Sequence, residues 1–165
     1  MKYARDYIER LLHETEPLEA LARLGTIWST REGVSEDKPH FGFSEPEFHV
    51  HMYLLYQGEV GNGGHAQFFM NPSGRHATTV KSALQVLGFD WALTILQRAC
   101  SEFPQGEVPQ DHQKREDTIA TLPEETFVRW AELDKEFYKM DSASWGTLMT
   151  YLRKNDDHVL QPERI

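Results

Sequence analysis

The apolar residues of this chain recur every three or four positions along almost its whole length, and this spacing constrains the fold more than any other feature. Tyr3, Ile8, Leu11 and Leu12 fall on one side of a first helix, and Trp145 begins the last apolar stripe. Such spacing is typical of amphipathic α-helices, whereas a strand would show alternating apolar and polar residues. The sequence therefore predicts an all-α fold of about seven to nine helices, arranged as one compact domain over residues 1–165.

Glycines and capping residues mark the expected helix ends. We expect a second helix to stop at Gly25. Ser44 and Glu47 have the spacing of a capping box, so they predict the start of a helix that continues to Gly58. The glycines between residues 58 and 64 then predict an irregular connection, which a short helix follows.

The chain is acidic, with 26 acidic and 17 basic residues and a formal net charge of −9. Direct binding to nucleic acid or to anionic lipid is therefore not expected. Segments 32–74 and 102–125 each carry a net charge of −5, and they would make one anionic face if they fold together. Acidic loops also occur simply because they confer solubility. The acids predicted to form a partner-binding face are Glu32, Glu36, Asp37, Glu45, Glu47, Glu107, Asp111, Glu116 and Asp117.

Several features favour the cytoplasm. The first ten residues alternate charged and apolar side chains and lack the apolar centre of a signal peptide. No apolar run approaches the roughly 20 residues that a membrane-spanning helix needs. Cys100 is the single cysteine, so it cannot form an internal disulfide, and we expect a buried, unreactive thiol.

Residues 59–71 form the most unusual stretch, because they combine three glycines with three side-chain amides. Such a stretch can build a small-ligand or enzymatic site around residues 62–67, with a concave pocket and an uncompensated polar lining. It can equally build a closed turn between helices, in which the polar groups bond to one another and the phenylalanines anchor in the core. The residues concerned, expected to be structural, are Glu59, Asn62, Gly63, Gly64, Gln67, Phe68, Phe69 and Asn71.

No set of residues has the spacing of a catalytic or metal-binding site. His49 and His51 are two positions apart, which on a helix directs them to nearly opposite sides. His65 and His76 flank a turn without any accompanying zinc motif. We therefore expect surface or capping histidines, no metal, no cofactor and no enzymatic activity.

Nine of the thirteen positions in residues 59–71 match the pattern Glu-Val-x-Asn-Gly-Gly-Phe-x-Gln-Phe-Phe-x-Asn. The pattern resembles that of a family of small acidic bacterial proteins related to the DNA-mimic proteins, most of them described only by a domain of unknown function. The likeness continues in residues 84–88 and in residues 133–138 (LDKEFY), and it covers roughly residues 44–155. His65 departs from the pattern, because the family usually has an aromatic residue at that position.

This resemblance implies an all-helical fold, no known cofactor and, for part of the family, activity as a DNA mimic. In that activity an acidic surface occupies the DNA-binding face of a regulatory protein. A compact chain of this length has a radius of gyration of about 15 Å and a diameter of roughly 40 Å. Duplex DNA carries roughly 24 charges over that distance. A net charge of −9 falls short of this value unless the acids gather on one face or a homodimer doubles the surface.

The leading hypothesis from the sequence is an acidic domain that binds a basic protein such as a DNA-binding regulator. Charge complementarity would then steer the association and make it sensitive to salt. Two alternatives remain open at this point. One is a toxin-neutralising immunity protein, which would have a similar charge, and the other is the small-ligand or enzymatic site at the Asn62–Asn71 turn.

Overall fold

The computed structural model describes residues 5–141 and 143–159, and within these ranges it contains nine α-helices and no strand. The prediction of an all-α fold is therefore confirmed. Tyr3, which the sequence places on the first helix, lies outside the described residues. The helices are α1 (Arg5–Leu12), α2 (Pro17–Thr30), α3 (Glu45–Met70), α4 (Ala77–Leu87), α5 (Asp90–Cys100), α6 (His112–Ala120), α7 (Glu124–Asp141), α8 (Ser144–Lys154) and α9 (Asp156–Val159).

The chain divides into two compact units. The first comprises Met1–His51 together with Ala143–Ile165, and the second comprises Met52–Ser142. Helix α3 begins in the first unit and ends in the second. The single domain that the sequence predicts over residues 1–165 stays a prediction.

The core of the first unit forms where α1, α2 and α8 pack together. Trp28 of α2 and Leu148 and Leu152 of α8 are buried there. Arg153 of α8 donates a hydrogen bond from Nη2 to the backbone carbonyl of Glu14, 3.0 Å away, just beyond the end of α1. A cation at this position satisfies carbonyl groups that the helix end leaves without partners.

The core of the second unit is rich in aromatic residues, with α5 packed against both α4 and α7. Trp130 of α7 is buried, and its Nε1 donates to the backbone carbonyl of Ala99 at 3.0 Å. The ring of Phe69 lies 4.9 Å from that of Phe103 and 5.1 Å from that of Trp130, measured between centroids. These rings join the end of α3 to α7.

Two predicted helix ends are wrong. Helix α2 continues through Gly25, and α3 continues through Gly58. A glycine inside a helix costs about 1 kcal/mol relative to alanine. Burying a large apolar side chain contributes about 1.5–3 kcal/mol, so Ile27 and Trp28 after Gly25, and Val60 after Gly58, outweigh that cost.

Only one of the two hydrogen bonds of the predicted capping box forms at the start of α3. The backbone N–H of Ser44 donates to Oε2 of Glu47 at 2.9 Å. The reciprocal bond is not made, because the buried Oγ of Ser44 has no hydrogen-bond partner within the part of the chain that is described. At the C-terminal end of α4, Gly88 adopts the left-handed conformation that commonly terminates helices, with φ of 72°.

Candidate functional site

Two glycines interrupt α3 inside the 59–71 segment. Gly63 has φ −158° and ψ 21°, and Gly64 has φ 74° and ψ −174°. The backbone conformation of Gly64 is one that only glycine adopts readily. A Cβ atom at Gly64 would lie 2.1 Å from Oδ2 of Asp134. Gly64 is therefore required both by its own dihedral angles and by the close approach of α7.

Asp134 binds the residue that follows this break. Its Oδ1 accepts a hydrogen bond from the backbone N–H of His65 at 2.9 Å and lies 2.5 Å from Nδ1 of the same residue. Because a carboxylate oxygen only accepts, Nδ1 carries the hydrogen. One carboxylate of α7 thus fixes both the backbone and the ring of His65.

His65 is fully buried, and its second ring nitrogen also has a partner. Nε2 lies 2.7 Å from the hydroxyl of Tyr56. Burial, followed by the charges of Cys100, Asp134 and Tyr53, raises the pKa of Tyr56, so its hydroxyl stays protonated in this contact. The prediction of a surface or capping histidine is wrong for His65, because partners for both nitrogens remove the penalty of burying them.

Aromatic rings surround the buried imidazole. The centroid of His65 lies 5.7 Å from that of Tyr56 and 6.5 Å from those of Phe69 and Phe137. Phe68 lies 5.1 Å from Tyr56, and both phenylalanines of the segment are fully buried. The prediction that Phe68 and Phe69 anchor in the core is confirmed. His65 thus takes the place of the aromatic residue that the family usually has at this position, and its imidazole also makes two polar contacts.

Glu59 accepts three hydrogen bonds that hold the last turn of α3 and the residues after it. Its carboxylate receives bonds from Gln67 Nε2 at 2.8 Å, from Asn71 Nδ2 at 2.8 Å and from Ser73 Oγ at 2.5 Å. Burial alone would raise the pKa of Glu59. The hydrogen bonds from Ser73, Gln67 and Asn71 together outweigh burial, and the pKa lies below its ordinary value.

We expect Glu59→Gln to destabilise the protein by about 1–3 kcal/mol at pH 7, because three donors lose a charged acceptor. A lowered pKa in the folded state gives stability that is present above the unfolded-state pKa and is lost as pH falls through the folded-state pKa. In urea unfolding, the difference between wild type and variant should therefore shrink as pH falls below the ordinary pKa of a glutamate and through the lowered folded-state pKa of Glu59. A difference that stays constant from pH 7 to pH 3 would contradict this account.

Helix α7 meets residues 59–71 at a further point. The hydroxyl of Tyr138 donates to the backbone carbonyl of Val60 at 2.7 Å. The two sequence segments that carry the family resemblance, 59–71 and 133–138, are thus in direct contact. Asn62 is exposed, but the polar groups of Glu59, His65, Gln67 and Asn71 bond to other protein groups. This favours the closed turn over a ligand site with an uncompensated polar lining.

One of the nine predicted partner-binding acids is wrongly assigned. Glu47 is 2% exposed, and its carboxylate accepts bonds at 3.0 and 2.8 Å from the guanidinium of Arg31. A buried and paired carboxylate presents little charge to an approaching protein. The eight acids that are exposed are Glu32, Glu36, Asp37, Glu45, Glu107, Asp111, Glu116 and Asp117.

The exposed acids lie in both units. Those from residues 32–45 belong to the first unit, and those from residues 107–117 belong to the second. Asp111 also has a structural role, because its Oδ1 accepts the backbone N–H of Lys114 at 2.8 Å and caps the start of α6. That the two sets form one face stays a prediction.

Arg115 is a residue whose role the sequence does not reveal. It lies in the acidic segment 102–125, where an exposed arginine would be expected, yet it is fully buried. Its Nε donates to the carbonyl of Phe69 at 2.7 Å, and its Nη2 donates to that of Asn71 at 2.9 Å. The spacing of apolar residues does not indicate that an arginine is buried. Only the contacts with distant backbone carbonyls in the structure reveal the role of Arg115.

Three further observations concern metal-binding groups, the cysteine and membrane-spanning helices. Residues 5–141 and 143–159 contain no group of three or more histidine, cysteine or acidic side chains that could hold a metal ion. Cys100 is buried, as expected, and burial raises the pKa of its thiol to about 11. None of the helices in the same ranges is long and apolar enough to cross a membrane.

A family model described as DMP19-like protein matches residues 42–155, which is well over half of the chain. The chain belongs to the DMP19-like family. The DMP19 of this description is a DNA-mimic protein. No curated protein and no solved structure matches the chain.

The DMP19-like region contains both of the contacting segments, 59–71 and 133–138. It extends from just before α3 to the residue between α8 and α9. Helices α1 and α2 precede it. The acids Glu32, Glu36 and Asp37 also precede it, so they are not part of the DMP19-like match. Of the eight exposed acids predicted to bind a partner, those within the match are Glu45, Glu107, Asp111, Glu116 and Asp117.

Proposed function

We propose that this protein is a DNA mimic that acts in the cytoplasm, where its exposed acids occupy the nucleic-acid-binding face of a basic regulatory protein. The observation that carries the proposal is membership of the DMP19-like family over residues 42–155. In this proposal the protein acts by binding and not by catalysis. The hydrogen bonds that close the 59–71 segment support a structural role for that segment.

The distribution of charge supports the proposal. Eight of the nine acids selected from the sequence are exposed, and the formal net charge is −9. Charges on a surface raise the association rate of an oppositely charged protein and make its affinity sensitive to salt. We further propose that two copies of the chain act together as a homodimer, since one copy carries fewer charges than a comparable length of duplex DNA.

Neutralising four of the exposed acids should weaken partner binding without unfolding the protein. The variant combines Glu36→Gln, Asp37→Asn, Glu116→Gln and Asp117→Asn. Exposed ion pairs contribute about 0.2–1 kcal/mol each, so we expect affinity to fall about 10- to 100-fold at low salt. Surface plasmon resonance measures the affinity of wild type and variant for the basic partner. Circular dichroism and thermal unfolding of both proteins check that the variant is folded.

A matched control changes the net charge by the same amount elsewhere. Glu9, Glu16, Glu132 and Asp157 are exposed and lie outside the two acidic segments. Replacing these four with the corresponding amides should reduce affinity only slightly. Equal losses in the two variants would mean that net charge alone matters, and binding that survives the first variant at low salt would contradict the acidic surface.

The partner can be sought by tagged capture from lysate of the source organism, with elution along a salt gradient and identification by mass spectrometry. Recovery of a basic DNA-binding protein that added duplex DNA displaces would support the proposal. Recovery of a nuclease or another toxin would instead favour an immunity protein. An empty capture would contradict the proposal and direct attention to small ligands at the Asn62–Asn71 turn.

A further inference from the structure

Arg115 places a complete guanidinium group inside the second unit, with a partner for each of its five N–H donors. Four partners are backbone carbonyls, those of Phe69, Asn71, Pro109 and Gln110, at distances from 2.7 to 3.1 Å. The fifth is Nδ1 of His112, 3.1 Å from Nη2. Because arginine has no acceptor, this nitrogen must accept the bond.

These partners come from two parts of the chain. The carbonyls of Phe69 and Asn71 belong to the end of α3 and the residue after it, where helix carbonyls lack intrahelical partners and favour a cation. The carbonyls of Pro109 and Gln110 belong to the segment that leads into α6. Arg115 therefore fastens the 107–117 segment to the end of the 59–71 segment.

Gly74 leaves the space in which this contact forms. A Cβ atom at Gly74 would lie 2.8 Å from Nε of Arg115, 2.8 Å from the carbonyl oxygen of Phe68 and 2.9 Å from that of Phe69. Two of these neighbours are backbone atoms, which cannot move aside easily. Alanine at residue 74 would thus displace the guanidinium and strain the backbone at the end of α3, without changing any charge.

The four predicted partner-binding acids of the second unit are next to these anchored residues in the sequence. Glu107 precedes Pro109 by two residues, Asp111 follows Gln110, and Glu116 and Asp117 follow Arg115 directly. We infer that Arg115 is a positioning residue, which holds these four acids in one fixed pattern for a structured basic partner. This inference rests on the function proposed above. Fixing the acids before binding removes part of the entropic cost of ordering them in the complex.

Two variants test the inference without changing the net charge. Arg115→Lys keeps the charge but loses the planar group that reaches five acceptors. Gly74→Ala keeps Arg115 and displaces it. We expect each to weaken binding of the basic protein recovered by capture about 10-fold, mainly because the complex dissociates faster. Arg98→Lys is the matched control, since Arg98 is exposed and pairs with Glu136 on the surface.

Protamine provides the comparison probe, because a flexible arginine-rich protein can adapt to any arrangement of acids. Its affinity should be the same for wild type, Arg115→Lys and Gly74→Ala. Hydrogen exchange of the amides in residues 107–117 should be faster in both variants than in wild type. Unchanged affinity for the captured protein together with faster exchange would overturn the inference, and so would an equal loss for both probes.

A double-mutant cycle separates positioning from a general loss of stability. Replacing Glu116 and Asp117 with Gln and Asn should reduce affinity for the captured protein about 10-fold in wild type but only about 2-fold in Arg115→Lys, because neighbouring residues that act together are not additive. An equal loss in both backgrounds would overturn the positioning role alone. No loss in wild type would instead contradict the acidic surface, and the inference with it. If Arg115→Lys does not fold, the same cycle is measured with Gly74→Ala.

Discussion

Replacing Gly64 with alanine should lower the free energy of unfolding by about 3–5 kcal/mol, the range reached only by severe single substitutions. Two effects combine. The Cβ atom would lie 2.1 Å from Oδ2 of Asp134, and the backbone conformation at φ 74° and ψ −174° is unfavourable for alanine. Relief of the clash would move Asp134 away from His65 and break both of its bonds to that residue. Urea unfolding followed by circular dichroism measures the effect.

Gly58 provides the matched control on the same helix. It lies within α3, and a Cβ atom there would meet nothing within 4 Å. Gly58→Ala should therefore stabilise the protein by about 0.5–1 kcal/mol, since alanine favours the helix and restricts the unfolded chain. If the two alanine variants had similar stability, that result would contradict the close approach of Gly64 to Asp134 of α7.

Removing the carboxylate of Asp134 should have an effect of similar size. In Asp134→Ala the backbone N–H and the Nδ1 hydrogen of His65 both lose their acceptor inside the core. Each buried donor left without a partner costs about 1–3 kcal/mol, so we expect a total loss of about 3–5 kcal/mol. Differential scanning calorimetry and urea unfolding at pH 7 provide the measurement.

The neighbouring Glu132 separates this effect from a change of charge on α7. Glu132 is exposed, and replacing it with alanine should change the free energy of unfolding by less than about 0.5 kcal/mol. A small effect at Asp134 as well would mean that His65 finds another acceptor. In that case the contact between residues 59–71 and 133–138 would not depend on this carboxylate.

Much of the helical architecture is predictable from apolar spacing, but the continuity of α2 and α3 is not. Gly25 and Gly58 carry the local signal of a helix end, and that signal is weaker than the burial of the side chains that follow them. Burial depends on which helices pack together, which local spacing does not specify. The break at Gly63 and Gly64 is where the backbone angles do depart from helical values.

The long-range polar contacts of the site are the part that the sequence does not reveal. Asp134 and His65 are 69 positions apart, and Arg115 and Phe69 are 46 apart. Nothing in the residue types indicates that these groups meet. Glu47 illustrates the same point, because its partner Arg31 lies 16 positions earlier and removes it from the exposed acids.

Competition with DNA tests the proposed mimicry most directly. The basic protein recovered by capture would first be bound to fluorescently labelled duplex DNA. The DMP19-like protein would then be added, and the anisotropy of the DNA would be followed at several salt concentrations. We expect it to release the DNA, to do so less well as salt increases, and to lose this activity in the variant that neutralises Glu36, Asp37, Glu116 and Asp117. A ternary complex, in which the partner holds DNA and this protein at the same time, would contradict mimicry.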